Sequence, residues 1–530
     1  MWYPINLLKQ GIQMAQALTK NNIRKKTIET GSFTLLSRGF GLIRELLLTR
    51  YLGISDIFWV AYRIPSFFRK IFAEGALSTA FVPSIVHSMR YKTKREVNAL
   101  MALSFIIFEG LLLIMSLCFL IFAKPLLTFL APGFSVEQIE QAIPMLILLM
   151  PFIFFLCACA LFAGALQAIN HFFIPALSPI VLNLVLIGGI LINMTYNFPI
   201  ASFCYWIVIG GFVQFCIHAI MYMRLQLGFN NPTKQTLKDI VPILIKFIAC
   251  VPGLAMSEVS LFIDTSFASY IPGAISNLRY ANSFMGIPLG VFAAAFSTIL
   301  LPHFSRINNY APKRLSFYLL ETTKLIVWIM LPITIGMAFF SHQIFYTLFV
   351  SEKFSIEQAT MAGNILIASI TGLLFFSLNK ILINLYYACH NTIIPTVVSI
   401  ISMSANIGLN YLLMPLMGAP GLALGTSIAA AIQTALSLFF LRWYLNFTFY
   451  GKAFNNFLYY YSMQVASVGG VTLIVYYLFL FTIDKFPPAF AYFFLHSIGF
   501  WLWVGPLCIG VFLMLFYTRA LFKIKLYFLD

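Results

Sequence analysis

The chain has 530 residues, of which 61% are hydrophobic and 9% charged, and its formal net charge is +17. Soluble domains carry roughly a quarter charged residues, so this composition excludes a soluble enzyme, a disordered chain and a secreted disulfide scaffold. The positive charge does not point to nucleic acid, because most of it lies in short segments between long apolar runs.

A membrane-crossing helix needs about 20 apolar residues to cover ~30 Å of hydrocarbon. A basic segment over 1–28, with no cleavable leader pattern, precedes fourteen runs of that kind: 30–52, 57–88, 98–123, 140–168, 174–194, 199–223, 239–270, 275–304, 317–341, 357–388, 393–415, 420–444, 455–482 and 489–518. The fold class expected is therefore all-α integral membrane with 14 transmembrane helices. With the N-terminus inside, twenty lysines and arginines fall in cytoplasmic segments and three (Lys124, Lys353, Lys485) on the opposite side. That bias predicts a cytoplasmic N-terminus and C-terminus. The eight cysteines lie in apolar runs and form no CxxC, so they read as small core residues.

The chain repeats at a period near 220. Ser78–Pro83 matches Ser297–Pro302, Phe134–Gln138 matches Phe354–Gln358, and Ile174-Pro175 matches Ile394-Pro395. Each repeat holds six predicted spans, so both halves point the same way around a pseudo-twofold axis along the membrane normal. A central cavity between two bundles is expected, as in alternating-access transporters. The expected organisation is a cytoplasmic segment 1–28, an N-lobe 29–225 (spans 1–6), a C-lobe 226–446 (spans 7–12) and two further spans over 447–530.

A charge at the bilayer centre costs about 2.5–3.5 kcal/mol on insertion scales. Spans 1 and 2 nevertheless carry Arg38, Arg44, Arg50, Arg63, Arg69 and Lys70 against only Glu45, Asp56 and Glu74. Lys70 and Glu74 are four apart and can pair on one helix face, and Arg38 and Glu45 share a face two turns apart. Three cations still remain, and surplus arginine in lipid calls for an anion. Guanidinium groups bind phosphate bidentately and keep their charge, so Arg38, Arg44, Arg63 and Arg69 are candidate ligands for a diphosphate in a cavity. Arg50 and Lys70 fit equally a role at the interface.

In the second half, Arg279 lies near the start of span 8. Asp264, Asn406, Asn410 and Thr426 can form an oxygen-rich cation site of the kind Na⁺-coupled transporters use; the same residues fit interhelical hydrogen bonding. Asp264 is read as the repeat equivalent of Glu45. No HExxH, no GxxxxGK[ST] and no acid pair for Mg²⁺ is present, so neither a metal nor another cofactor is expected, and a membrane phosphotransferase is disfavoured. An arginine-rich set argues against a cationic-drug antiporter. A membrane scaffold without transport predicts that these arginines tolerate substitution.

Ser37–Glu45 (SRGFGLIRE), Arg63-Ile64-Pro65, Arg69–Ser78 (RKIFAEGALS) and Ala80–Pro83 together resemble the lipid II flippase family MurJ (MviN) of the multidrug/oligosaccharidyl-lipid/polysaccharide exporter superfamily. Ala131–Phe134 and Leu300–Pro302 fit as well. The resemblance implies a non-enzymatic flippase of the bacterial cytoplasmic (inner) membrane. Its partner would be lipid II, the undecaprenyl-diphosphate-linked peptidoglycan precursor, with membrane lipids and cell-wall synthesis proteins around it and no nucleic acid. It places Arg38, Arg44 and Arg69 among the cavity arginines and Asp56 and Glu74 among gating or lobe-contact acids, and Glu45 is assigned with these two. Spans 13 and 14 would form a lipid-tail groove. Coupling to membrane potential, Na⁺ or H⁺ stays open. The sequence departs from the family at Ser283, where a span-8 arginine is usual, and at Asn282, where an acid is common. Arg279, one turn earlier on the same face, is expected to substitute. The alternative is an exporter of another polyprenyl-diphosphate-linked saccharide.

Overall fold

A computed structural model describes residues 20–73, 76–169, 171–293, 304, 314–389, 391–444, 447–497 and 499–528. Apart from an isolated bridge between Ser351 and Phe354, the regular structure among the described residues is helical. Nine of these helices are long and apolar enough to cross a membrane, by length and composition. The bent pair Ile356–Ile370 and Leu373–Ala388, which meet at 43°, makes a tenth if counted as one. The four other runs read as spans are 30–52, 57–88, 239–270 and 275–304, the charged or interrupted ones. The first lies in α1 (Lys20–Leu52). The second is split into α2 (Asp56–Phe68), a π-helical turn π1 (Arg69–Ala73) and α3 (Ala76–Tyr91). The third lies in α9 (Lys234–Ala268), and the fourth begins with α10 (Ala274–Pro288) and a second π turn, π2 (Leu289–Ala293).

Between them run α4 (Lys94–Ile121), α5 (Ala123–Leu130), α6 (Val136–Ala168), α7 (Phe173–Thr195) and α8 (Ser202–Arg224). After π2 come α11 (Leu315–Phe339), α12 (Ser341–Phe349), α13 (Ile356–Ile370), α14 (Leu373–Ala388), α15 (Ile393–Met417) and α16 (Ala419–Tyr444). The chain closes with α17 (Gly451–Ile483), α18 (Pro488–His496) and α19 (Gly499–Thr518). The run 489–518 is thus two helices, broken after His496. The short helices α5 and α12 occupy segments that the sequence reads as loops.

Local chemistry repeats at an offset of 220. Gly53 and Gly273 both take the left-handed conformation (φ 58° and 76°) in the turns before α2 and α10, where a side chain would be strained. Ser135 and Ser355 cap α6 and α13, each in a capping box closed by a glutamine three residues on, Gln138 and Gln358. The His171 N–H donates to Leu166 O as the Asn391 N–H donates to Tyr386 O, both at 2.9 Å. The two π turns begin at Arg69 and Leu289.

The chain divides into two compact units, Met1–Ser266 and Phe267–Asp530. The lobe boundary expected from the sequence repeat is 225/226. Most of α9 falls in the first unit, where Phe247 packs on Phe72 and Phe108, and Phe262 on Phe67. That unit is built around α6, which packs against α2, α3, α4, α8 and π1; 67% of its most apolar window is buried, against 11% for α17. Such burial makes α6 a core helix and leaves α17 largely exposed. In the second unit α15 and α16 pack along each other, and α13 against α10, α12 and α16. There α17 and α19 dock on α11 through Trp328, Phe457, Tyr461, Val468 and Leu515. Gln464 on α17 is fully buried and ties this seam. It accepts from Trp328 Nε1 (3.3 Å) and donates to Leu515 O (2.6 Å) and Thr518 Oγ1 (2.9 Å).

Candidate functional site

In the first unit Arg44 is held from two sides. Its Nη2 donates to Glu45 Oε2 at 3.2 Å and its Nη1 to Asn183 Oδ1 at 2.9 Å. Asn183, on α7, is buried, and its Nδ2 donates to Ser37 O at 3.1 Å. One amide therefore bridges a backbone carbonyl and a guanidinium, fixing the arginine rotamer against α7. Only two of the five guanidinium donors are engaged in these bonds, and the side chain is 23% exposed, so donors remain for an anion. Arg38 and Arg50 are exposed. The acid that shares a face with Arg38 pairs with Arg44 instead, because Glu45 is its immediate neighbour.

Arg63 and Arg69 are both partly buried. The Arg63 guanidinium lies 6.0 Å from the Phe262 ring centroid, the outer limit of a cation–π contact. Arg69 opens π1. Its neighbour Lys70 forms an ion pair with Glu258 of α9. The expected partner was Glu74, which lies outside the described residues. Asp56 is the first residue of α2, where a carboxylate complements the helix dipole.

In the second unit Arg279 Nη1 donates to Ser283 Oγ at 3.1 Å. The arginine therefore reaches the position where the sequence lacks one. Asn406 and Asn410 are both buried on α15. A Cβ added at Gly425 would stand 2.8 Å from Asn410 Oδ1 and 3.5 Å from Asn406 Oδ1, so glycine lets α16 approach the two amides. Thr426 Oγ1 donates to Leu422 O at 3.0 Å. Asp264 belongs to the other unit. The 220-residue offset set by Gly53 and Gly273 aligns Asp264 with Arg44, one residue from the equivalence with Glu45 read from sequence. Among the described residues no group of three or more His, Cys, Asp or Glu is placed to hold a metal.

Comparison with known proteins gives a family. The sequence pattern of the family described as "Lipid II flippase MurJ" matches residues 50–498. The chain belongs to the MurJ family. A "Probable lipid II flippase MurJ" of Rickettsia prowazekii (strain Madrid E) is 30% identical over 404 residues, covering 75% of this chain and 79% of the relative. A solved structure titled "Lipid II flippase MurJ, inward closed conformation" is 26% identical, with a TM-score of 0.74 over 93% of this chain and 99% of that one. An inward-facing multidrug MATE transporter of the MOP superfamily shares the fold at 16% identity (TM-score 0.64, 78% of this chain, 96% of that one).

Within this MurJ-family chain, two polar residues escaped the sequence reading. Asn183 lies in a largely apolar span that holds two amides, Asn183 and Asn193; an amide at mid-span was its signal. Glu109 lies in α4, in the run Leu103–Met115, and a single acid in an apolar run was the signal for it.

Proposed function

We propose that this chain carries lipid II from the inner to the outer leaflet of the bacterial cytoplasmic membrane by alternating access, making and breaking no covalent bond. The observation that carries the reading is the family match over 50–498, together with Arg44 held in place with donors to spare on a helix otherwise bound for lipid. In this reading Arg38, Arg44, Arg63 and Arg69 bind the diphosphate, Arg44 as the fixed anchor. Arg279 joins them on sequence grounds, in place of the arginine missing at Ser283. Glu45, Asp56 and Glu74 act in gating. Glu45 holds Arg44 when no phosphate is present and gives it up when one arrives.

The proposed topology is fourteen spans with both termini cytoplasmic, an N-lobe over 29–225, a C-lobe over 226–446, and α17 and α19 guiding the polyprenyl tail. The low burial of α17 and the docking of both helices on α11 support that last role. Asn406, Asn410 and Thr426 are proposed as oxygen ligands of a coupling Na⁺, and Asp264 enters that proposal on sequence grounds alone. Membrane potential acts on any charge that moves, at about 2.3 kcal/mol per charge per 100 mV.

The test is conditional complementation. A bacterium depleted of its own lipid II flippase should be rescued by this chain and not by Arg44→Ala, while Arg279→Ala reports whether that arginine is needed. An inserted chain that fails to rescue would assign the same fold to another polyprenyl-diphosphate-linked saccharide. Rescue by Arg44→Ala would remove the anchor role.

A further inference from the structure

We infer that Glu109 is a proton-binding carboxyl, neutral in this conformation, whose proton is released and regained as the first unit changes shape. Glu109 sits in the middle of α4. Both of its oxygens are buried and neither has a hydrogen-bond partner. Among the described residues it forms no ion pair: Lys70 is taken by Glu258, Lys92 by Asp239 and Lys124 by Glu140.

The titratable groups that face it are thiols. Cys157 on α6 lies against the carboxyl without reaching hydrogen-bond geometry, and Cys159 stands beside it. Cys216 of α8 lies beyond Cys159. Among the described residues the other elements packed on α4, α2 included through Phe68 on Phe119, form no ion pair with it. On α3, Arg90 lies over the Tyr91 ring, and on α5 Lys124 is exposed beside Glu140. On α9 the contact with α4 is Phe247 on Phe108, and the adjacent Lys246 is exposed. A thiol is a weak donor and supplies no charge. A bare carboxylate in such surroundings takes up a proton in preference to staying ionised.

A glutamine or leucine would fill this place without that constraint, and an ionisable residue inside a span marks function by default. The route to the rest of the unit is α6. It packs against α4 on one side and against π1, which begins with Arg69 and Lys70, on another. Ionising Glu109 calls for water at its oxygens, and these are buried where α4 packs on α6 in this conformation; in the inference, that contact opens to admit it. Proton release and the position of the helix that supports the arginine-bearing turn are then linked, and a proton gradient gains a handle on that turn.

Two measurements test this, and only the second rests on the flippase reading. In the first, infrared spectra of the full chain in liposomes at neutral pH should show the high-frequency carbonyl stretch of a protonated carboxylic acid. Labelling with ¹³C-carboxyl glutamate should shift it, which needs no variant, and Glu109→Gln should abolish it. A band that is absent, that ignores glutamate labelling, or that persists in Glu109→Gln overturns the assignment. In the second, lipid II flipping is followed in liposomes across a pH series. Glu109→Gln, a mimic of the protonated form, should flip lipid II with its pH dependence lost. A Glu109→Gln protein that keeps the full pH dependence overturns the linkage. If wild type flips no lipid II, the flippase reading fails and the infrared result still decides the proton site.

Discussion

Arg44 of α1 and Asn183 of α7 meet across two helices, with Nη1 2.9 Å from Oδ1. The amide also holds Ser37 O, so it fixes the guanidinium from a position that is itself anchored. A hydrogen bond to a charged group is worth roughly 1.5–3 kcal/mol. Asn183→Leu should therefore lower lipid II flipping about tenfold to a hundredfold in liposomes while leaving insertion intact. Asn183→Gln, which can restore the acceptor, should recover part of the loss. Wild-type flipping by Asn183→Leu would show that the amide does not position Arg44.

The ion pair between Lys70 and Glu258 joins π1 to α9 with one partner 39% exposed and the other 2%. Removing one member of a buried pair leaves the other uncompensated. Because Lys70 reaches solvent, the cost belongs at the low end, about 1–2 kcal/mol. Lys70→Met should lower the melting temperature more than Glu258→Gln, since it strands the more buried charge. The exchange Lys70→Glu with Glu258→Lys should restore part of the stability. If the double exchange is as unstable as the sum of its single changes, the pair contributes nothing.

Gly425→Ala drives a methyl group to 2.8 Å from Asn410 Oδ1, closer than a Cβ tolerates. If these amides ligate Na⁺, binding stabilises the folded form by mass action. Wild type should then melt at a higher temperature in NaCl than in KCl at equal ionic strength, and Gly425→Ala should lose that difference. Equal melting of wild type in the two salts would eliminate the cation site.

Gln464 makes three hydrogen bonds in the seam that docks α17 and α19 on α11. Gln464→Leu keeps the volume and strands the Trp328 Nε1–H and Leu515 O, at about 1–3 kcal/mol for each buried group left unsatisfied. The expected result is faster proteolytic release of the segment from residue 447 onward, with α1 to α8 still protected. Unchanged protection there would mean that apolar packing alone holds the two helices.

The apolar runs were legible because a window of 20 residues averages over local detail. That is why α4, α6, α7, α8 and α15 stand where composition put them. The interruptions were not. One extra residue per turn at Arg69–Ala73 or Leu289–Ala293 leaves no mark on a hydrophobic pattern, and the break after His496 is marked only by Ser497 and Gly499 between two aromatic stretches. The arginines were legible as charges out of place, but their partners were not. Helix periodicity favours Glu45 for Arg38, and Glu45 pairs with Arg44. The structure brings Glu258 to Lys70 and Asn183 to Arg44 from 188 and 139 residues away. Long-range pairing depends on which helices pack together, and no short window contains that.

The paired landmarks also carry a history. The left-handed glycines, the two capping boxes and the two π turns occur at one offset, the pattern that duplication of a half-length unit would leave. At the same offset Arg44 corresponds to Asp264, and Arg69 to Leu289. Two identical halves could not carry opposite charges at one position. Within one chain that restriction does not hold: the first half carries arginines where the second carries an acid and a leucine, on local landmarks that both share.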